Sequence, residues 1–283
     1  MGARTSPTER QRRLGAELRK IRTSAGISAE AAAGLLGIDR GRVSHIELGV
    51  SAITPERLRT LACNSDCTDE AYINALVDMA QIGSNGWWEK YRGTLPQGLL
   101  DIAELEGNAT RLHTAQTVHL PGLLHLSGYA RAIFKLVIPQ LPPSEVELRV
   151  AHRMERQQVL ERDQPVDYVG YIHEAALRMQ FGGRRTTREQ LDHMCAMCER
   201  PGIRLRVLPV EGGSFPGAGH ALLYAEGPVP QLDTVQLDSA HGPEFTYAEA
   251  QLAKYRAHLE WMDVHTLDPD RSRDFIHSIA REL

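Results

Sequence analysis

The sequence predicts two domains of different fold class: an all-α N-terminal domain of five short helices and a larger C-terminal domain of mixed α/β structure. Its 283 residues leave room for more than one hydrophobic core. Apolar residues follow only the helical period up to about residue 81, and strand-like alternation begins beyond the polar turn Ser84-Asn85-Gly86. Residues 1–64 carry 11 Lys+Arg against 6 Asp+Glu, and the remainder carries 21 against 30. We therefore expect a basic domain over 1–82 and an acidic domain over 83–283.

Apolar spacing and capping residues predict the five helices of the first domain. Leu14, Leu18 and Ile21 recur at intervals of four and three, which predicts a helix over 10–23. Side chains that favour N-caps stand before the next three helices, at Ser28, Asp39 and Thr54. These further helices are expected at 29–36, 39–47 and 55–62, and a fifth at 69–81. The expected core of the domain consists of Leu14, Leu18, Ile21, Leu35, Val43, Ile46 and Leu58.

The third predicted helix has an unusual composition. Val43 and Ile46 are spaced for one buried face, but Gly41 lies inside the helix, where glycine costs about 1 kcal/mol relative to alanine. The opposite side of the helix is basic, because it carries Arg40, Arg42 and His45, and it has no neighbouring acidic residues to pair with them. A basic face of this kind indicates a polyanionic partner.

Residues 12–64 resemble the helix-turn-helix domain of Cro and phage-repressor type regulators, the XRE family. The resemblance rests on Leu18-Arg19-x-x-Arg22, on Gly26 followed by Ser28, on Gly37 in the turn, and on Val43-Ser44-x-Ile46-Glu47-x-Gly49. It implies that the third helix enters the major groove of double-stranded DNA and that Arg22 and Glu47 form an internal structural pair. The DNA-contacting residues that it implies are Arg40, Gly41 and His45 at base edges, Arg42 and Ser44 near phosphates, and Ser28 at the second helix.

One position departs from the family pattern. Ala29 stands where members often carry a glutamine that contacts the DNA backbone. We expect the basic segment Arg4–Arg13 to supply phosphate contacts instead.

The second domain alternates predicted strands and helices. Ser144 with Glu147, and Thr246 with Glu249, have the spacing of capping boxes, and Asp268-Pro269 precedes the last helix. Adjacent Trp87 and Trp88 are interpreted as a packing anchor. Strands are expected at 109–120, 166–172, 203–209, 221–225 and 234–237. Helices are expected at 128–136, 144–162, 188–199 and 246–264, and the last helix is expected to be capped by Asp268-Pro269. The glycine-rich loop EGGSFPGAGH is a strand connection, a pocket cover or a partner contact, and its residues are Gly212, Gly213, Phe215, Gly217 and His220.

Residues 90–283 resemble the C-terminal domain of antitoxin-like transcriptional regulators of Streptomyces and other actinomycetes. The resemblance rests on LPGLL…GYAR, RVAHRMERQQVLER, YIHEAALR, GIRLRVLPVEGG and YAEAQLAKYRAHLEWM…LDPDRSRDFI. It implies a control domain behind a DNA-binding domain. Relatives are often encoded beside a small partner protein.

Enzyme and metal chemistry find little support in the sequence. Cys63 with Cys67, and Cys195 with Cys198, lack the compact paired turns of a zinc site and are interpreted as reduced, buried thiols. No phosphate-binding loop and no nucleophile with an adjacent base is recognisable. No signal peptide and no apolar run of membrane-spanning length is present. We expect a cytoplasmic protein that is not an enzyme and has no cofactor, no metal and no membrane partner.

The sequence therefore predicts a sequence-specific DNA-binding transcriptional regulator. Its C-terminal domain is expected to sense a small-molecule effector or a partner protein and to form a homodimer on a palindromic operator. The alternative is an antitoxin-like protein that sequesters a small protein from the neighbouring gene and regulates its own operon. The dimer expectation rests on apolar residues thought to be in surplus: Trp87, Trp88, Leu99, Leu100 and the helix over 255–262.

Overall fold

The computed structural model describes residues 6–81, 86–213, 215–216, 220–239 and 241–283, and the chain divides into two compact units. The division follows Arg92, ten residues after the expected boundary at 82/83. Ser84 and Asn85 of the expected turn lie outside the described residues, as do Arg4 and Gly217.

The described residues of the N-terminal unit form five α-helices. The side chains of Thr8, Ser28, Asp39 and Thr54 accept hydrogen bonds from backbone N–H groups of the first four helices. These bonds satisfy donors that an N-terminus otherwise leaves unpaired, so each helix begins where its cap stands. The helices are α1 Glu9–Ser24, α2 Ala29–Leu36, α3 Arg40–Glu47, α4 Pro55–Asn64 and α5 Glu70–Gln81.

The core of this unit differs from the expected one at Leu35. Leu18, Val43, Ile46 and Leu58 are buried as predicted, but Leu35 is 41% exposed. α2 instead buries Ala32, Ala33 and Leu36, which recur on one helical face, and Leu35 lies about 100° away from Leu36. The expectation for Leu35 was therefore wrong.

The double tryptophan lies in a short 3-10 helix, Trp87–Tyr91. The rings of Trp87 and Trp88 meet edge to face at 5.9 Å, and the ring of Trp87 meets Tyr91 in the same way at 6.1 Å. Both indoles are partly buried and pack within this aromatic cluster.

The described residues of the C-terminal unit form a six-stranded mixed sheet in the order β3-β2-β1-β4-β5-β6. β1, β2 and β3 run parallel, and β4, β5 and β6 continue from β1 as antiparallel neighbours. The predicted strand over 109–120 is shortened to β1, and β6 was not predicted. The strands are β1 Arg111–Gln116, β2 Asp167–His173, β3 Ile203–Leu208, β4 Leu222–Glu226, β5 Thr234–Ser239 and β6 Gly242–Thr246.

Seven α-helices accompany the sheet in the part of this unit that the structure describes. α6 and α9 were not predicted, and α10 begins four residues earlier than expected. The last helix begins as predicted, because the carboxylate of Asp268 accepts from the N–H of Arg271 at 2.9 Å. The helices are α6 Gln97–Asn108, α7 Ser127–Phe134, α8 Pro143–Arg156, α9 Glu174–Arg178, α10 Arg184–Met197, α11 Glu249–His265 and α12 Pro269–Glu282.

Both predicted capping boxes in this unit were wrong. α8 follows Pro142 and α11 follows Ala248, and neither N-cap residue has a side-chain cap. Pro143 starts α8 with a preset φ angle, so Ser144 falls inside the first turn. α8 also ends six residues before the predicted position 162, and the chain continues as a 3-10 helix over Gln157–Leu160.

Helices pack on both faces of the sheet. One face packs against α10 and α12 through residues such as Leu191 and Ile276, and the other packs against α11 through Leu259 and Met262. Leu100 is only 1% exposed. Leu100 and these α11 residues belong to the unit's own core, so the expectation that they were free for a dimer was wrong.

At Val207, the outer edge of β3 is covered by Leu267, which lies between α11 and α12, and by Ser272 in the first turn of α12. The N–H of Leu267 donates to the carbonyl of Val207 at 2.8 Å, and the hydroxyl of Ser272 accepts from the N–H of Val207 at 2.9 Å. At the opposite edge, β6 carries Pro243, which has no N–H to offer. α6 lies close above it, since a Cβ at Gly98 would come within 2.5 Å of the Pro243 ring.

Candidate functional site

α3 presents a buried face and a fully exposed one. Val43 and Ile46 are 4% and 5% exposed and anchor the helix in the core of the N-terminal unit. A three-residue turn through Gly37, whose φ is +61°, joins α2 to α3. The residues that the family resemblance assigned to DNA all lie on the exposed side: Arg40, Gly41, Arg42, Ser44 and His45.

The cap of α3 accounts for part of the unusual composition. The Asp39 carboxylate accepts from the N–H of Arg42 at 2.8 Å. A Cβ at Gly41 would stand 3.0 Å from that carboxylate oxygen, so glycine leaves room for the cap. Among the described residues, an added Cβ at Gly41 would meet no other side chain within 4 Å, so the surface at this position is open.

The cationic side chains of α3 lack acidic partners. In the described part of the chain, neither Arg40 nor Arg42 forms an ion pair or a side-chain hydrogen bond. The one nearby carboxylate, that of Asp39, already accepts from the helix backbone. Two exposed guanidinium groups are therefore free to take phosphate oxygens or guanine acceptors as partners.

Ser28 lies at the exposed N-terminus of α2. Its hydroxyl accepts from the N–H of Ala31 at 3.1 Å, so it caps the helix. Ala29 is partly buried and offers no polar group. Any contact of α2 with a phosphate therefore depends on Ser28 and on the backbone N–H groups of the first turn.

Arg22 and Glu47 join the end of α1 to the end of α3. The guanidinium donates to both carboxylate oxygens, from Nε at 2.5 Å and from Nη2 at 3.0 Å. Nη1 donates to the carbonyl of Ile27 at 2.6 Å, which fixes the start of the turn before α2. Both side chains are 10% exposed, and the hydrogen bond with Glu47 raises the pKa of Arg22. This bidentate pair sets the position of α3 relative to α1.

Two glycines allow the backbones of α1 and α3 to approach closely, and the sequence analysis missed one of them. A Cβ at Gly15 would stand 2.4 Å from the carbonyl oxygen of Glu47 and 2.6 Å from that of Ile46. Gly49 has a φ of +73°, and a Cβ there would stand 2.7 Å from the backbone of Gln11. A glycine in the interior of a predicted amphipathic helix was the available signal.

A second buried cluster ties α1 to α5. Arg13 Nη2 lies 3.1 Å from a carboxylate oxygen of Glu17, and the hydroxyl of Tyr72 donates to the other oxygen. Burial, followed by the Glu17 carboxylate, raises the pKa of Tyr72. Arg13 is only 4% exposed, and Arg12 pairs with Glu9 at 3.0 Å. The expectation that the segment up to Arg13 contacts phosphates was therefore wrong for Arg13.

The glycine-rich loop of the C-terminal unit is partly described. Phe215 is 4% exposed and belongs to the core beside α11, and the carbonyl of Gly213 accepts from His173 Nε2 at 3.0 Å. Gly212 ends a short 3-10 helix, and His220 is exposed. A cavity of about 460 Å³ lies beside Phe215 and His220.

The cysteines are all free thiols. Cys63 is exposed, so the expectation that it is buried was wrong. Burial raises the pKa of Cys195 to about 11 and that of Cys198 to about 12, which keeps these thiols protonated near neutral pH. Within the described ranges, no group of three or more His, Cys, Asp or Glu side chains could hold a metal ion. No described helix is long and apolar enough to span a membrane.

Two family models match the chain. A model described as a helix-turn-helix domain matches residues 13–63, the part that contains α2, the turn and α3. A model described as a domain of unknown function (DUF5753) matches residues 99–278, which is more than half of the chain. No curated protein and no solved structure matches. The helix-turn-helix supports a DNA-binding regulator, and the chain belongs to the DUF5753 family.

Proposed function

We propose that this chain is a sequence-specific transcriptional regulator of the XRE type that binds operator DNA through α3. The observation that carries the proposal is the exposed pair of guanidinium groups on α3, Arg40 and Arg42, which have no acidic partner in the described structure. The Arg22–Glu47 pair holds that helix in one orientation. A fixed helix with free cationic side chains suits insertion into the major groove.

The residues of α3 divide by their place on the helix. Arg40 stands in the first turn, where recognition helices contact base edges, and its guanidinium matches the O6 and N7 acceptors of guanine. Arg42 and Ser44 supply phosphate contacts that hold the helix in register. His45 reaches a base edge one turn further along the helix.

A homodimer on a palindromic operator is part of the same proposal. One helix-turn-helix reads few base pairs, and two related by a two-fold axis read half-sites about one helical turn apart. The selectivity needed against a genome of competing sites favours the pair. The C-terminal unit is proposed to hold the dimer together and to sense an effector.

A second candidate function is that of an antitoxin-like protein that sequesters a small partner protein. The observation that favours it is the exposed apolar connection between α7 and α8. Leu136 is 63% exposed and Ile138 is 93% exposed, and both lie on the C-terminal unit. Exposed apolar side chains in one segment are typical of protein contact sites.

The test is to select operator sequences from a random duplex library with the full chain and to measure affinity by fluorescence anisotropy. Arg40→Ala should cost about 1–3 kcal/mol on the selected operator and much less on random DNA. Arg185→Ala is the matched control, because Arg185 is 92% exposed on α10 and its loss changes the net charge equally. Equal losses on both DNAs for Arg40→Ala would make Arg40 a phosphate contact. Failure to select any sequence would refute the proposed function.

A further inference from the structure

The C-terminal unit encloses a second cavity, of about 290 Å³, between one face of the sheet and the helices α6 and α8. This volume is near the lower end of the range for small-molecule sites, about 300–1,000 Å³. Its lining combines apolar and polar side chains, among them Leu99, Ile102, Thr114, Arg153, Gln236 and Pro243.

A polar row crosses the sheet beneath the cavity. Thr114 of β1 and Gln236 of β5 flank Leu223 of β4 in register, so the three side chains share one face. Thr114 and Gln236 are 7% and 5% exposed. The Gln236 amide donates to Asp238 at the rim at 2.9 Å. The Thr114 hydroxyl lies 2.7 Å from the hydroxyl of Tyr168, so both polar side chains have partners within the fold and together give the cavity a polar floor.

The two arginines of α8 that line the cavity differ in their partners. Arg156 donates to both carboxylate oxygens of Glu106, at 2.8 and 2.6 Å, and its side chain is 8% exposed. Within the described residues, Arg153 has no carboxylate within 4.0 Å. Arg156 is therefore bonded directly to a carboxylate inside the fold, and Arg153 is not.

Arg153 instead contacts a neutral histidine. Its Nη1 donates to His125 Nδ1 at 3.1 Å, and His125 Nε2 donates to the carbonyl of Leu120 at 2.8 Å. Burial, then the charge of Arg153, keeps the pKa of His125 well below its usual value, so the ring stays neutral and accepts. Burial, then Arg156, lowers the pKa of Arg153 to about 9. The guanidinium remains charged at neutral pH, and the carboxylates of Glu106 and Asp238 act on it only from beyond 4.0 Å.

We propose that this cavity binds a small monocarboxylate with an apolar body, and that Arg153 receives the carboxylate. The fork of the guanidinium matches a carboxylate in geometry, and Arg153 has no carboxylate bonded to it in the described structure. Leu99, Ile102 and Pro243 provide apolar surface for the rest of the ligand. The acidic groups of Glu106 and Asp238 at the same cavity disfavour a phosphate with two negative charges. The inference rests on the proposed function, since it names the class of effector that the C-terminal unit senses.

The test is isothermal titration calorimetry of the full chain with octanoate and benzoate and with their uncharged counterparts, octanamide and benzamide. At least one carboxylate should bind one-to-one with a Kd below about 1 mM, and its amide should bind at least about tenfold more weakly. Arg153→Met should lower the carboxylate affinity by the same factor or more, and Arg153→Lys should lose less.

Arg149→Met is the matched control on α8. Arg149 lies one helical turn before Arg153, pairs with Glu145 and does not line the cavity. Its loss should therefore leave the affinity for the carboxylate unchanged. Thermal unfolding of each variant verifies that it is folded. Absence of binding for both carboxylates at about 10 mM, equal binding of the amides, or unchanged binding to Arg153→Met would each overturn the proposal.

DNA binding is measured separately by anisotropy with and without the carboxylate that binds. A change in operator affinity supports sensing through this cavity. Carboxylate binding without such a change would leave the site intact and refute its role as effector site. Operator binding without carboxylate binding would refute the site and leave the regulator intact.

Discussion

Glu47→Ala tests whether the Arg22–Glu47 pair stabilises the N-terminal unit. The substitution leaves the Arg22 guanidinium with one of its three hydrogen bonds, the one from Nη1 to the carbonyl of Ile27. Removing one partner of a buried ion pair costs about 3–5 kcal/mol because a charge is left without compensation. Because one hydrogen bond remains and each side chain is 10% exposed, we expect the free energy of unfolding to fall by about 3 kcal/mol, the lower end of this range.

The assay is thermal unfolding of residues 1–92, followed by the fluorescence of Trp87 and Trp88. In a domain of this size each kcal/mol lowers the Tm by about 4–8 °C, so a fall of about 12 °C or more is expected. Glu70→Ala is the matched control. Its carboxylate lies 3.8 Å from Arg59 in a pair that is 49% and 76% exposed, and such pairs contribute about 0–1 kcal/mol. Equal Tm values for the two variants would refute the reasoning.

Gly15→Ala should destabilise the N-terminal unit by about 1–3 kcal/mol, or move α3, because the added Cβ meets the backbone of Glu47. Urea unfolding measures this loss, and an unchanged urea midpoint would contradict the close approach of α1 and α3. Arg156→Met should destabilise the C-terminal unit by about 3–5 kcal/mol, because it leaves the buried carboxylate of Glu106 without a partner. Arg153→Met should leave the stability of the ligand-free protein unchanged or raise it. A larger loss for Arg153→Met than for Arg156→Met in urea unfolding would contradict the pairing of Arg156 with Glu106. Burial, then Arg156 and Arg153, lowers the pKa of His152 to about 3. Because the folded pKa lies below the unfolded value, the contribution of neutral His152 to the stability of the fold is complete above about pH 6.5 and is lost as the pH falls towards 3. His152→Gln should therefore make the urea midpoint fall less steeply over that pH range.

The N-terminal unit was predictable because its signals are local. Each cap residue sits beside the backbone groups that it satisfies, so Ser28, Asp39 and Thr54 mark helix starts without reference to the rest of the chain. The predicted burial of Leu35 was wrong because α2 buries alanines, which count for less than leucine in a hydrophobic pattern. The role of Gly15 was not predicted because the close contact that it permits joins residues more than thirty positions apart in the sequence.

The C-terminal unit was predicted less completely because its determinants are distant in sequence. Two apparent capping boxes had the right spacing, but the helices begin elsewhere, at Pro143 and at Glu249. β6 has a partly exposed pattern without clear alternation, and its pairing with β5 defines it. The difference between Arg153 and Arg156 is invisible in the sequence, because it depends on a carboxylate from α6 that reaches only one of them.

The closed edges of the sheet decide how two copies of the C-terminal unit can associate. Continuous sheets across a subunit boundary need a row of free N–H and C=O groups on a lateral strand. The groups of Val207 that face away from β2 are already taken by Leu267 and Ser272, and Pro243 removes a donor from the opposite strand. The homodimer proposed above would therefore join through helix or loop surfaces of this unit, and the same protected positions hinder the addition of further strands to the sheet.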